Sequence, residues 1–150
     1  MKGPPPLEPF GLVLHHDGTW THEGQPVLNR KLRERFDRSV RYLAEVGKYV
    51  VQIGRFRGEI EVEEAGFFVR LFDPETGEIL LSDFTTEILD VHTLGLSPRD
   101  GALLCRVKHD LSAEGLGARF MHAAHAEFMN ALDEDGTCVV IAGVPSRLPF

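Results

Sequence analysis

The feature of this sequence that most constrains its fold is an arrangement that occurs twice. Glu23-Gly24, a helical pattern and the strand pattern Tyr49-Val50-Val51 are echoed as Glu114-Gly115, a second helical pattern and Cys138-Val139-Val140. The glycine and the middle valine are 26 residues apart in the first copy and 24 in the second. This repetition predicts an α+β protein with two related β-rich halves, each a β-β-α-β-like unit, with antiparallel hairpins between them.

The first copy contains the strongest local signals. Asp17-Gly18 predicts a hairpin, because a type I′ turn needs positive φ at both of its central residues. Apolar residues at helical spacing predict an amphipathic helix from Arg30 to about Val46. Asn29 is suited to cap its start, and Gly47 is suited to the left-handed conformation that ends a helix.

The remaining sequence alternates between strand patterns and turns. A second helix is predicted from about Glu114 to Leu132, followed by a last strand over 137–142 and an irregular tail over 143–150. We therefore expect a mobile proline-rich arm at 1–9, an N-terminal half with the basic helix at 10–65, and a C-terminal half with the second helix at 66–150.

Charge is distributed unevenly along the chain. The net charge is −7, yet residues 30–57 carry nine positive and three negative side chains, and residues 58–90 carry one positive and ten negative. A general nucleic-acid-binding protein usually has a strongly basic footprint, which argues against that class. The basic segment can attract a small anionic ligand or an acidic protein partner, or it can simply be a solvated face.

The composition is typical of a soluble globular protein, with 43% hydrophobic and 26% charged residues. No run of about 18 apolar residues occurs, and the N-terminus lacks the apolar core of a secretion signal. We expect a cytoplasmic protein with no membrane partner. Cys105 and Cys138 lie in apolar strand patterns, so we expect buried thiols rather than a disulfide or a nucleophile.

No catalytic signature occurs in the sequence. A nucleophile elbow, a Walker loop and a dinucleotide fingerprint are all absent, and no serine has a recognisable catalytic context. We therefore predict a protein that is not an enzyme and has no cofactor. A metal ion bound to the purified protein would be the observation that supports an enzymatic function instead.

Two pairs of histidines could in principle bind a metal ion. His122 and His125 are three residues apart on the second predicted helix, with His109 or Asp110 as a possible third ligand. His125 falls within the apolar stripe, which indicates a partly buried structural histidine instead. His15 and His16 are expected to point to opposite faces of a strand. We predict no metal site.

An ordered set of short motifs resembles a bacterial family of uncharacterised proteins, domain of unknown function 1285. The motifs are Asp17-Gly18-Thr19-Trp20, Glu23-Gly24, the helix with Phe36, Gly47-Lys48-Tyr49 and the run from Glu61 to Phe68. The match covers about residues 10–70 well. The resemblance implies two β-rich halves of related plan and a C-terminal half loosely similar to pleckstrin-homology-like folds. It also implies a ligand site between the halves, a nucleotide-like ligand and a role in signalling.

Trp20, His22, Arg55 and Arg57 form the best candidate ligand site. Arginine offers forked donors for phosphate or carboxylate, and tryptophan offers a face for stacking. Arg55 and Arg57 are two residues apart, so both would point the same way on a strand. The alternative is that Trp20 fills the core beneath the first helix, which is the commoner place for a lone tryptophan.

A second hypothesis for function is a protein-interaction or scaffold module without a small ligand. The oligomeric state stays open.

Overall fold

A computed structural model describes residues 8–150, which form two compact units that divide between Gly66 and Phe67. Of the predicted arm at 1–9, residues 1–7 lie outside the described residues, and Glu8 and Pro9 begin the first strand. Each unit is built on a six-stranded mixed sheet. Among the described residues no helix is long and apolar enough to cross a membrane.

The first unit has a sheet with one helix over it. Its elements are β1 (Glu8–Leu14), β2 (Trp20–His22), β3 (Gln25–Pro26), α1 (Arg30–Ser39), β4 (Val40–Leu43), β5 (Lys48–Ile53) and β6 (Phe56–Val62). The sheet order is β3-β2-β1-β6-β5-β4. Strands β1 and β6 are parallel, and the other neighbours are antiparallel.

The turn of the β1–β2 hairpin contains Asp17-Gly18, as predicted, but it is not type I′. Gly18 has a φ of +88° whereas Asp17 does not have a positive φ. The Gly18 amide donates to the carbonyl of His15 at 3.0 Å. The Asp17 carboxylate accepts from the hydroxyl and the amide of Thr19 at 2.7 and 3.0 Å. These hydrogen bonds hold the pKa of Asp17 below its ordinary value and fix the turn.

Helix α1 starts where the sequence predicts, since the side chain of Asn29 accepts from the Leu32 amide at 3.1 Å. It ends earlier than predicted, at Ser39 instead of Val46. Residues 40–43 form β4 because Val40 pairs with Val51 of β5, a tertiary contact that spacing along the chain does not reveal.

Gly47 closes the β4–β5 hairpin rather than ending a helix. It has a φ of +66°, and its amide donates to the carbonyl of Leu43 at 2.8 Å. The sequence therefore identified the left-handed glycine correctly and assigned it to the wrong kind of element.

The second unit has a similar sheet with additional elements after it. They are β7 (Phe67–Phe72), β8 (Glu78–Leu81), β9 (Thr86–Ile88), a short 3₁₀ helix (Val91–Thr93), β10 (Gly95–Leu96), β11 (Leu103–Val107), β12 (Leu116–Phe120), α2 (His122–Asn130), β13 (Cys138–Ile141) and β14 (Val144–Arg147). The sheet order is β10-β11-β12-β7-β8-β9, and β13 and β14 form a separate hairpin. Strands β7 and β12 are parallel.

The predicted duplication is confirmed in the two sheets. When the six strands of each sheet are numbered in chain order, both sheets follow the order 3-2-1-6-5-4. The helices, however, do not correspond. Helix α1 lies between the third and fourth strands of its unit, whereas α2 follows the sixth strand of the other. Glu23-Gly24 and Glu114-Gly115 therefore lie at different positions of the repeat. The first pair lies between the second and third strands of its unit, and the other pair lies between the fifth and sixth strands.

Two predictions for the C-terminal half are wrong. The helix does not begin at Glu114, because residues 116–120 form β12, with Leu116, Ala118 and Phe120 buried at the two-residue period of a strand. The tail is not irregular throughout, since β14 pairs with β13. Gly117 and Met121 also fit a helical spacing with Phe128, and this coincidence concealed the strand.

The core of the second unit contains a cluster of three phenylalanines. The ring of Phe128 on α2 lies 6.0 Å from that of Phe72 and 5.7 Å from that of Phe120. Cys105 is buried, as predicted, and burial raises the pKa of its thiol to about 12. Cys138 is half-buried, and both thiols are free.

Candidate functional site

The first unit contains a cavity of about 330 Å³ between α1 and the sheet. Its lining is apolar except for one imidazole, that of His22. The other lining residues are Leu12, Val27, Leu32, Phe36, Val51 and Ile53. Sites for small molecules commonly have this size and character, with few polar groups that orient the ligand.

Strand register and helix spacing together create the cavity. Leu12 and His22 are directly opposite each other in the β1–β2 pair, so their side chains lie on one face of the sheet. Val51 and Ile53 are two residues apart along β5 and so lie on that same face. Leu32 and Phe36, four residues apart on α1, face them from the helix.

Trp20 lies behind this cavity and not in it. Its side chain is 1% exposed, and Nε1 donates to Oδ1 of Asp37 on α1 at 2.8 Å. Its ring packs against that of Phe36 at 5.3 Å between centroids. Trp20 therefore supports the cavity wall through Phe36, and it offers no exposed face on which a ligand could stack.

Arg55 and Arg57 do not lie on one strand as predicted. Arg55 is exposed in the turn between β5 and β6, two residues after the cavity-lining Ile53. Arg57 lies in β6 directly opposite Gln52. Because side chains alternate along a strand, Gln52 and Arg57 lie on the face opposite to Ile53. Of the four predicted site residues, only His22 lines the cavity.

Positive charge is nevertheless available beside the cavity, from the helix that covers it. Arg33 and Arg35 lie between the cavity-lining Leu32 and Phe36 along α1. The Nε atom of Arg33 is buried and has no hydrogen-bond partner among the described residues. A buried donor without a partner carries a desolvation cost that an anionic ligand could remove.

A polar cluster that the sequence did not predict lies on the face of the first unit's sheet opposite to the cavity. Glu63 binds the imidazoles of both His15 and His16 through their Nδ1 atoms, and the His15 contact measures 3.0 Å. The Nε2 atom of His15 lies 2.9 Å from the hydroxyl of Thr21. The expectation that the two histidines point apart is wrong, because His16 belongs to the turn and not to the strand.

The parallel pairing of β1 with β6 explains this cluster. Leu14 pairs with Val62, and the Glu63 amide donates to the carbonyl of Leu14 at 2.9 Å. This register places Glu63 beside His15, although 48 residues separate them. Hydroxyl, imidazole and carboxylate occur here in the order found in catalytic triads. These side chains do not line the cavity described above, so we interpret the cluster as a link between strands.

Comparison with known proteins agrees with the architecture. No family model and no curated protein sequence matches the chain. A DUF1285 family protein from Shewanella baltica OS155 superposes with a TM-score of 0.54 at 17% identity, over 85% of this chain and 96% of that chain. One from Silicibacter pomeroyi DSS-3 gives 0.58 at 17% identity, over 99% of this chain and 88% of that chain.

This chain has the DUF1285 fold. The resemblance inferred from the ordered motifs is thereby confirmed for the architecture, with its two related β-rich halves. The candidate site of this chain is the cavity beneath α1, which is lined by the chain's own residues.

Proposed function

We propose that this protein is a non-catalytic binding domain for a small ligand with an apolar body and one anionic group. The cavity beneath α1 carries the proposal. Six apolar side chains would surround the body of the ligand, and the imidazole of His22 would contact its polar end. Burial of each methylene of such a ligand contributes about 0.8 kcal/mol.

The anionic character of the ligand is supported by charge near the cavity. Arg33 and Arg35 lie between the lining residues Leu32 and Phe36 along α1, and Arg55 lies just beyond Ile53. This set keeps His22 and Arg55 from the site predicted from sequence, and it omits Arg57 and the stacking face of Trp20. Binding without turnover is what a sensor domain requires, so a role in signalling is compatible with the proposal. The two free thiols support a cytoplasmic setting.

Thermal unfolding in the presence of straight-chain carboxylates tests the proposal. We expect the unfolding temperature to rise in the presence of hexanoate, octanoate, decanoate and dodecanoate. The rise should be largest at one chain length, because the cavity has a fixed volume. Decanol should stabilise less than decanoate. A ligand at 100 times its Kd stabilises the folded state by about 2.7 kcal/mol. The His22→Ala variant should lose part of the decanoate effect.

The Leu32→Trp variant provides the decisive comparison. Leu32 is 41% exposed at the cavity, so a larger side chain there can fill the space without disturbing the core. Leu28→Trp is the matched control, because Leu28 is 81% exposed and does not line the cavity. We expect Leu32→Trp to abolish stabilisation by decanoate and Leu28→Trp to preserve it. Equal stabilisation of both variants, or stabilisation by adenosine monophosphate alone, would contradict the proposal.

A further inference from the structure

A surface groove on the second unit has apolar side chains at its centre and opposite charges at its ends. Two adjoining cavities of about 430 and 450 Å³ share Leu71 and Leu80, and so form one continuous groove along β7, β8 and α2. At one end lie Arg70 and His122. At the other lie Asp73, Glu78 and Glu127.

The apolar side chains of this groove are unusually open to solvent. Leu71 and Phe84 are each 54% exposed, and Met121 is 46% exposed. Leu71 pairs with Leu80 across β7 and β8, so both point to the same outer face. Contiguous exposed apolar surface of this kind marks interaction sites in many proteins.

The order of charges indicates which partner fits. A two-fold axis through Leu71 and Leu80 would place the basic end of one groove against the acidic end of an identical groove. In such an isologous contact, residue i of one copy meets residue j of the other, and j meets i. The surface is thus complementary to itself. We propose that this groove is the contact surface of a symmetric homodimer of the protein.

The structure explains how this surface arises in the second unit. The Met121 amide donates to the carbonyl of Val69 at 2.9 Å, at the place where β12 ends beside β7. The equivalent bond in the first unit joins the amide of Glu63 to the carbonyl of Leu14, and there the Glu63 side chain binds the two histidines. In the second unit α2 follows immediately, and Arg70 lies beside apolar residues instead. The two repeats have therefore diverged at this position.

The homodimer is tested by charge reversal at its two ends. Arg70→Glu would place like charges against Glu127 of the second copy, and Glu127→Arg would place like charges against Arg70. Each variant should weaken self-association at least about tenfold. Arg147→Glu and Glu134→Arg are the matched controls, because both residues are exposed and lie outside the groove.

Mixing the two charge-reversed proteins gives the sharpest result. In a heterodimer of Arg70→Glu with Glu127→Arg, both contacts again join opposite charges. We therefore expect the mass of a dimer in the mixture and not in either single variant alone. The double variant should likewise dimerise with itself. Sedimentation velocity gives the masses, and circular dichroism checks that each variant is folded. A wild-type chain that stays monomeric at high micromolar concentration, or a mixture that stays monomeric, would overturn the proposal.

Discussion

Replacing Asp83 with alanine should destabilise the second unit by about 3–5 kcal/mol, the cost of leaving one partner of a buried ion pair alone. The Nζ atom of Lys108 lies 2.8 Å from Oδ2 of Asp83, and the two side chains are only 14% and 5% exposed. The ammonium group also lies 3.1 Å from the Thr85 hydroxyl and 5.0 Å from the centre of the Phe67 ring. Without the carboxylate, the largely buried ammonium group of Lys108 would lose its acidic partner.

The same pair predicts how stability depends on pH. Burial alone would raise the pKa of Asp83, but hydrogen bonds from Lys108 and Thr85, together with the charge of Lys108, outweigh it and hold that pKa below 3.8. A lowered folded-state pKa means that the unfolded chain binds the proton more readily. The stabilising contribution of Asp83 is therefore complete well above pH 3.8 and is lost as the pH falls through the folded-state pKa.

Urea unfolding of three variants separates this ion pair from an ordinary surface contact. Glu34→Ala is the control, because its salt bridge to Arg30 joins side chains that are 83% and 51% exposed, and such pairs contribute about 0.5 kcal/mol or less. The double variant Asp83→Ala with Lys108→Met should recover stability relative to Asp83→Ala. If Asp83→Ala costs no more than Glu34→Ala, the pair does not stabilise the unit.

The sequence predicts the architecture well because its strand signals are local. Alternating apolar residues and the turn at Asp17-Gly18 identify strands without any knowledge of the neighbouring strands in the sheet. Helix limits are less predictable, because Val40 fits both a helical and a strand spacing. Only its pairing with Val51, which lies beyond the next turn, decides between them. The same ambiguity hid β12 inside the second predicted helix.

The candidate site is harder to predict because contacts between distant residues create it. His22 could be named from sequence, since it lies two residues after Trp20 on a short strand and so shares its face. The spacing of Leu32 and Phe36 predicts an apolar helix face, but it does not show that space remains beneath that face. From the sequence alone, the alternation of Glu59, Glu61 and Glu63 with Ile60 and Val62 predicts only a solvated acidic strand face for Glu63. Its position beside His15 follows from the parallel β1–β6 pair, which has no local sequence signal.

Replacing Trp20 with alanine should cost about 3–5 kcal/mol in the stability of the first unit, as expected for removing a large buried aromatic side chain. The indole is 1% exposed and is held by Asp37 and Phe36, so little can collapse into the space it leaves. Trp20→Phe should cost less, because it keeps the contact with Phe36 and loses chiefly the hydrogen bond and part of the volume.

Comparing stability with ligand binding in these variants tests whether Trp20 acts through Phe36. Phe150→Ala is the aromatic control, because that ring is 55% exposed and surface substitutions usually change stability by about 0.5 kcal/mol or less. Trp20→Phe should retain stabilisation by decanoate, since Phe36 stays in place to line the cavity. Trp20→Ala should lose it at a temperature where the variant is still folded. If Trp20→Ala is as stable as Phe150→Ala, then Trp20 is not the core residue that its burial indicates.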